Sequence, residues 1–202
     1  MIQILFEKEL PYKLLAFIVL VLFYGVYLGK QFLLRKKEIQ CIEMGKRENM
    51  VERLMGIGTV GVLVAQLMSI FFGWNHSPAD TRFTGFLIGM LGDFIFLASV
   101  ICMKESWRVG IPEKGDTTLI TTGIYSYSRN PAFLGFYLQY FGLLMMFGNF
   151  LIAGFTVFAM IMLHLQILQE EAYLKKTFGK EYEMYCQKVP GRYLCLGKGK
   201  KI

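Results

Sequence analysis

Two polar stretches in the C-terminal half hold residue types able to grip a small charged ligand. The first runs Ile124-Tyr125-Ser126-Tyr127-Ser128-Arg129-Asn130-Pro131, the second Gln169-Glu170-Glu171-Ala172-Tyr173-Leu174. Asn130 followed by Pro131 reads as the N-cap and first residue of a helix, because asparagine can accept from a free N–H and proline lacks an N–H where none is needed. A helix start presents unpaired N–H groups and partial positive charge, a setting that suits a carboxylate or phosphate. A carboxylate such as Glu170 can hold a hydroxyl or an ammonium. Metal chemistry finds no support. The cysteines Cys41, Cys102, Cys186 and Cys195 form no CxxC pair, and no Cys/His group has zinc-ligand spacing.

The elements that must position these residues are apolar. Hydrophobic residues make up 54% of the chain, and they concentrate in five runs: Leu14 to Leu34, Leu54 to Phe72, Phe83 to Met103, Pro131 to Phe147 and Phe150 to Leu168. Each approaches or exceeds the ~17 to 25 residues that cross hydrocarbon. None alternates with period two, so helices rather than barrel strands satisfy the backbone in lipid. The expected fold is all-α, a polytopic membrane helical bundle of about five transmembrane helices. The first run follows Glu7 and Glu9 rather than a basic segment, which argues for a retained helix over a cleaved signal.

The net charge of +7 falls at the membrane edges, which excludes nucleic acid as its partner and favours membrane lipids. Lys30, Arg35, Lys36, Lys37, Lys46, Arg47 and Arg53 crowd the first inter-helix loop, whereas Gly73 to Thr81 carries only Asp80 apart from His76. The positive-inside rule therefore puts the first loop, the segment Lys104 to Asn130 and the tail after Gln169 in the cytoplasm. Only Gly148 and Asn149 separate the last two runs, so those helices form a hairpin. Its open ends bring Asn130 and Glu170 together. Residues 1–103 read as three N-terminal helices with a basic loop, and residues 104–202 as the half holding the site. Glycines on the second, third and fourth runs predict close helix contacts, Gln66, Gln139 and His164 read as interhelical hydrogen-bonding groups, and Asp93 must be neutral, paired or facing a cavity.

The pattern Leu119-Ile120-Thr121-Thr122-Gly123-Ile124-Tyr125, then Arg129-Asn130-Pro131, then Glu170-Glu171 to Leu174 and Phe178-Gly179 to Tyr182 resembles the isoprenylcysteine carboxyl methyltransferase family, over Trp107 to Tyr193. The Trp107-Arg108-Val109-Gly110 stretch looks like its bacterial branch, which implies a bacterial cytoplasmic membrane. That resemblance implies methyl transfer from S-adenosylmethionine, bound in a cytoplasmic pocket over the last two membrane helices, to a lipophilic acceptor arriving from the bilayer. It implies that Gly110, Thr117, Thr118, Leu119, Ile120, Tyr125, Asn130, Pro131, Ala132, Phe133 and Glu170 line the cofactor pocket. Arg129, Glu170 and Glu171 would be the polar groups at the reacting end. Asn130 stands where the family usually has histidine. Gln166 stands where eukaryotic members place an arginine that meets the substrate carboxylate, so the resemblance implies Gln166 as the substrate-facing residue while arguing against prenylcysteine itself, and the acceptor is expected to be a lipophilic small-molecule or lipid-linked carboxylate, thiol or amine. Two other readings compete: a nicotinamide-dependent lipid reductase, which would need more cations for the phosphates than Lys104, Arg108, Lys114 and Arg129, and a catalytically silent membrane scaffold.

Overall fold

The computed structural model describes residues 2–39, 49–110 and 118–194, with side chains described from residue 9 onward. Among the described residues six α-helices form in chain order: α1 (Ile2–Lys36), α2 (Met50–Phe72), α3 (Ala79–Met103), α4 (Pro131–Met146), α5 (Phe150–Phe178) and α6 (Lys180–Lys188). Helices α1, α2, α3 and α5 contain segments long and apolar enough to cross a bilayer. Helix α4 has 16 residues, a rise of ~24 Å against a hydrocarbon core of ~30 Å. The five apolar runs are therefore four full-length helices and one short one, and the protein is an integral membrane helical bundle. Phe17, Val21, Phe71, Phe94 and Val157 all lie exposed along the long helices, where lipid rather than water is the suitable neighbour.

Two pairings dominate the bundle, α3 along α4 and α2 along α5. The first is a glycine seam. A Cβ added at Gly142 would lie 2.6 Å from both the Gly85 carbonyl oxygen and the Gly89 nitrogen, and one added at Gly92 would lie 2.7 Å from the Gln139 nitrogen. Only glycine lets these backbones meet, and in lipid such close packing is what drives helices together. On the second pairing Gly58 faces the Ala159 backbone. Helix α1 closes the bundle by stacking Phe23 on Phe96 at 4.6 Å, with Phe136 edge-on at 4.7 Å.

The bundle has two ends, one where α4 turns into α5 and one bearing α6. At the hairpin end Asn149 caps α5 by accepting from the Ile152 N–H, while its amide nitrogen donates to Ser69 Oγ and to the carbonyls of Trp74 and Phe147. There Arg82, almost fully buried, binds both oxygens of Glu9 at 2.8 Å and lies over the Tyr12 ring. At the other end α5 stops at Gly179, whose φ of 52° ends the helix. Two interior expectations need revision. Gln66 and Gln139 are buried with neither end of the amide hydrogen-bonded among the described residues. Asp93 is buried without a hydrogen-bond partner among the described residues and is absent from the cavity wall described below, which leaves the neutral form of the three expected states.

Candidate functional site

The site begins at the start of α4. Sequence places Asn130 at the N-cap, and Asn130 does occupy that position, but its side chain caps nothing. Its amide nitrogen donates instead to Glu171 Oε1 at 2.9 Å and to the Arg192 carbonyl at 3.3 Å. The physical reason is Glu171, a carboxylate that accepts hydrogen bonds from three side chains. Arg129 Nε donates to Glu171 Oε1 at 3.2 Å, and Arg192 Nε donates to Glu171 Oε2 at 2.9 Å. Arg129 also reaches the carbonyls of Val189 and Pro190.

This clamp ties the chain after α6 under the hairpin. The Arg129 and Asn130 N–H groups donate to the carbonyls of Gly191 and Arg192, and the Tyr185 hydroxyl donates to the Tyr125 carbonyl at 2.7 Å and the Ser128 carbonyl at 3.3 Å. Tyr193 reaches His164 Nδ1 and the Tyr137 hydroxyl. Tyr182, Tyr185 and Val189 form a buried cluster against Leu119, Leu174 and Phe178. Burial raises the Tyr185 phenol above its ordinary range, against the opposing pull of the Arg129 charge, so it stays a neutral donor.

Inside the clamp lies a cavity of about 500 Å³. Its polar wall comes from Arg108, Gly110, Thr118, Tyr125, Asn130 and Glu170. Its apolar wall is aromatic: Tyr24 and Tyr27 of α1, Phe96 of α3, Phe133, Phe136 and Tyr140 of α4, and Trp107, joined by Met55, Gly56, Thr59, Val60 and Leu63 of α2. Gly110 has φ of 91°, a backbone state that favours glycine. Glu170 accepts from Gln166 Nε2 at 3.2 Å, and buried Glu52 of α2 lies near enough to act on it electrostatically. Burial, then the charge of Glu170, pushes the Tyr125 phenol well up, so its hydroxyl remains neutral. Leu28 and Val60 line the cavity yet are 58% and 61% exposed. The gap between α1 and α2 thus opens sideways toward lipid.

Of the residues expected from the sequence, Gly110, Thr118, Tyr125, Arg129, Asn130, Ala132, Phe133, Gln166 and Glu170 line this cavity. Leu119, Ile120, Pro131 and Glu171 are not on its wall. Leu119 packs instead on the α6 cluster, Pro131 is buried at the helix start, and Glu171 faces the two arginines. Thr117 lies outside the described residues, as do Cys41, Cys195, Lys114 and most of the segment from Arg35 to Met50. Sequence reasoning missed the wall built by α1 and α2. Tyr24 and Tyr27, spaced to share one helix face within an apolar run, were the available signal. It also missed Trp107 and Tyr173 as wall residues and Arg192 as the clamp's second cation.

The family described as phospholipid methyltransferase matches residues 81–181, half of the chain. A protein-S-isoprenylcysteine O-methyltransferase of Schizosaccharomyces pombe is 32% identical over 127 residues, covering 60% of this chain and 52% of that protein. A probable protein-S-isoprenylcysteine O-methyltransferase of Oryza sativa subsp. indica is 31% identical over 110 residues, covering 53% and 58%. The protein-S-isoprenylcysteine O-methyltransferase B of Arabidopsis thaliana is 30% identical over 109 residues, covering 52% and 55%. The chain spans a little over half the length of these relatives.

Proposed function

The chain belongs to the phospholipid methyltransferase family, with isoprenylcysteine carboxyl methyltransferases among its relatives, and from that premise we propose that it is an integral membrane methyltransferase using S-adenosylmethionine and a lipophilic acceptor. The observation that carries this reading is one cavity with a polar wall at the start of α4 and an aromatic wall that opens to lipid. The α6 end faces the cytoplasm, by the distribution of Lys and Arg, and a bacterial cytoplasmic membrane is supported by the resemblance of the Trp107-Arg108-Val109-Gly110 stretch alone. Residues 104–202 supply the polar wall, and residues 1–103 much of the apolar one.

The residues present fit the donor. No side chain caps α4, so N–H groups of its first turn, at Ala132 and Phe133 on the cavity wall, are left for a ligand carboxylate. Glu170 presents a carboxylate to a ribose hydroxyl or an ammonium. Thr118 and Gly110 border the same polar wall, and Tyr125 adds a neutral hydroxyl. When bound, S-adenosylmethionine supplies a methyl group activated by its sulfonium. The chain's own residues then have two tasks, alignment and exclusion of water, and the rings of Phe133, Phe136, Tyr140 and Trp107 suit both.

Calorimetric titration of the purified protein with S-adenosylhomocysteine tests this. Saturable binding, weakened about tenfold or more by Glu170→Ala and by Tyr125→Ala, is the expected result for lost hydrogen bonds to a charged ligand. Absence of binding to folded protein would sink the reading and turn attention to nicotinamide cofactors, then to a scaffold.

A further inference from the structure

Two arginines reach the cavity wall, and they are not equally occupied. Arg129 gives Nε and Nη2 to Glu171 and Nη1 to the carbonyls of Val189 and Pro190. Arg108, partly buried just beyond α3, gives only Nη1, to the carbonyls of Glu105 and Trp107. Its Nε and Nη2 have no partner among the described residues, and neither is closed off from a ligand. The Ser106 and Thr118 hydroxyls lie 2.9 Å apart on the same wall. Whichever donates to the other, the second keeps its proton for a further partner. The nearby Glu105 carboxylate is exposed and pairs with Lys37 at 2.6 Å. What remains is a set of donors around a fixed positive charge, and a guanidinium edge matches the paired oxygens of a carboxylate or phosphate.

These donors sit on the α1 side of the cavity. Trp107 packs edge-on against Tyr27 at 5.7 Å, and the Lys37–Glu105 pair ties the end of α1 to the same segment. Leu28, next in α1, borders the lateral gap. Glu170 belongs to the far side, because α3 packs on α1 and α4 whereas α5 packs on α2 and α4. The cavity therefore has two polar stations. One, at α4 and α5, holds Glu170 and the N–H groups assigned above to the donor; the other, beside the opening to lipid, holds Arg108. Glu170 repels an anion and Arg108 attracts it, so an oxyanion entering with its hydrocarbon between Leu28 and Val60 settles at Arg108.

We propose that Arg108 positions the acceptor, holding a carboxylate or phosphate of a lipid at the α1 edge of the cavity while the hydrocarbon leaves through the gap between α1 and α2. This rests on the methyltransferase reading above for calling the lipid an acceptor, while the recognition itself rests on the open donors of Arg108.

The test uses three probes with one tail: 1-tetradecanol, tetradecanoate and tetradecyl phosphate, at equal mole fraction in phosphatidylcholine nanodiscs holding the full chain, at a pH where both acids are ionised. Trp74 lies at the hairpin end and Trp107 adjoins Arg108, so a Trp74→Phe chain reports binding through Trp107 fluorescence. At least one anion is expected to bind about tenfold tighter than the alcohol, and the tighter anion names the group held. Arg108→Gln should bring the three probes level, and Arg108→Lys, which keeps the charge without the fork, should lower the preference about threefold. Lys30→Gln removes a cation of α1 that is absent from the wall and should leave the preference intact. An alcohol bound as tightly as both anions overturns the proposal, as does a preference that survives in folded Arg108→Gln or is lost in Lys30→Gln. Where Arg108→Gln does not fold, an unchanged preference in Arg108→Lys overturns it. Loss of S-adenosylhomocysteine affinity in Arg108→Gln with the anion preference kept also overturns it, by giving Arg108 to the donor. Wild-type S-adenosylhomocysteine binding without any anion preference overturns it and leaves the methyltransferase reading standing. An Arg108-dependent anion preference without S-adenosylhomocysteine binding upholds the recognition and removes the methyltransferase reading.

Discussion

At the hairpin end of the bundle Arg82 is buried with both Glu9 oxygens and an aromatic face around it, and Asn149 uses donor and acceptor alike. At the α6 end two neighbouring glutamates divide. Glu171 is held by Arg129, Arg192 and Asn130, whereas Glu170 accepts from Gln166 and otherwise faces the cavity. Both ends contain charges removed from water, and such charges are tolerated when paired. The hairpin end spends its polar groups on holding helices together. The α6 end does so on one side of α5 and leaves the other side available to a ligand.

The comparison breaks most readily at the seam that both ends share. Gly142→Leu would drive a side chain into the Gly85 and Gly89 backbones at distances no rotamer relieves. Overpacking of this kind costs roughly 3 kcal/mol or more. Loss of the folded monomer on size exclusion is expected, with no binding left to measure, and a stable Gly142→Leu protein would refute the seam as the bundle's spine.

The next pair of substitutions sets the two ends against each other. Glu9→Ala leaves Arg82 buried with only aromatic partners, and because Glu9 is itself partly exposed the cost should be about 2 kcal/mol, under the ~3 to 5 for breaking a fully buried pair. Glu171→Ala frees two arginines and should cost about 3 kcal/mol. Thermal denaturation should fall for both. S-adenosylhomocysteine affinity should stay unchanged for Glu9→Ala and drop for Glu171→Ala, since Asn130 and the tail lose their anchor. Equal affinities in the two variants would mean that the clamp does not position the site.

Much of this was legible in the sequence. The apolar runs, the two-residue hairpin link, the glycine faces and the helix start at Pro131 follow from local rules of length, spacing and backbone freedom. The partners of the polar groups were not. Glu170 and Glu171 are adjacent and chemically identical, so no local rule says which faces the cavity; the 100° turn between successive helix residues separates them, and only the packing of α4 and the tail decides. Asn130 misled for the same reason, because a capping residue by type became a donor once Glu171 came within reach. Tyr24, Met55 and Thr59 reach the cavity through the pairing of α1 and α2 with α4 and α5, which periodicity within one helix does not specify.

The smallest expected effect sharpens the comparison at a single atom. Tyr125 is fixed from behind, where the Tyr185 hydroxyl holds its carbonyl at 2.7 Å, and its ring is buried on the cavity wall. Tyr125→Phe keeps the ring and that backbone bond, and removes only a neutral hydroxyl beside Glu170. A hydrogen bond of this kind contributes about 0.5 to 1.5 kcal/mol net, so S-adenosylhomocysteine affinity should fall a fewfold, with melting temperature unchanged. Tyr125→Ala should lose more, because the ring also shapes the wall. If Phe binds as weakly as Ala, the hydroxyl rather than the ring makes the polar wall; if Phe binds like the wild type, Tyr125 serves as packing and Glu170 is left as the side chain that reads the ligand's charge.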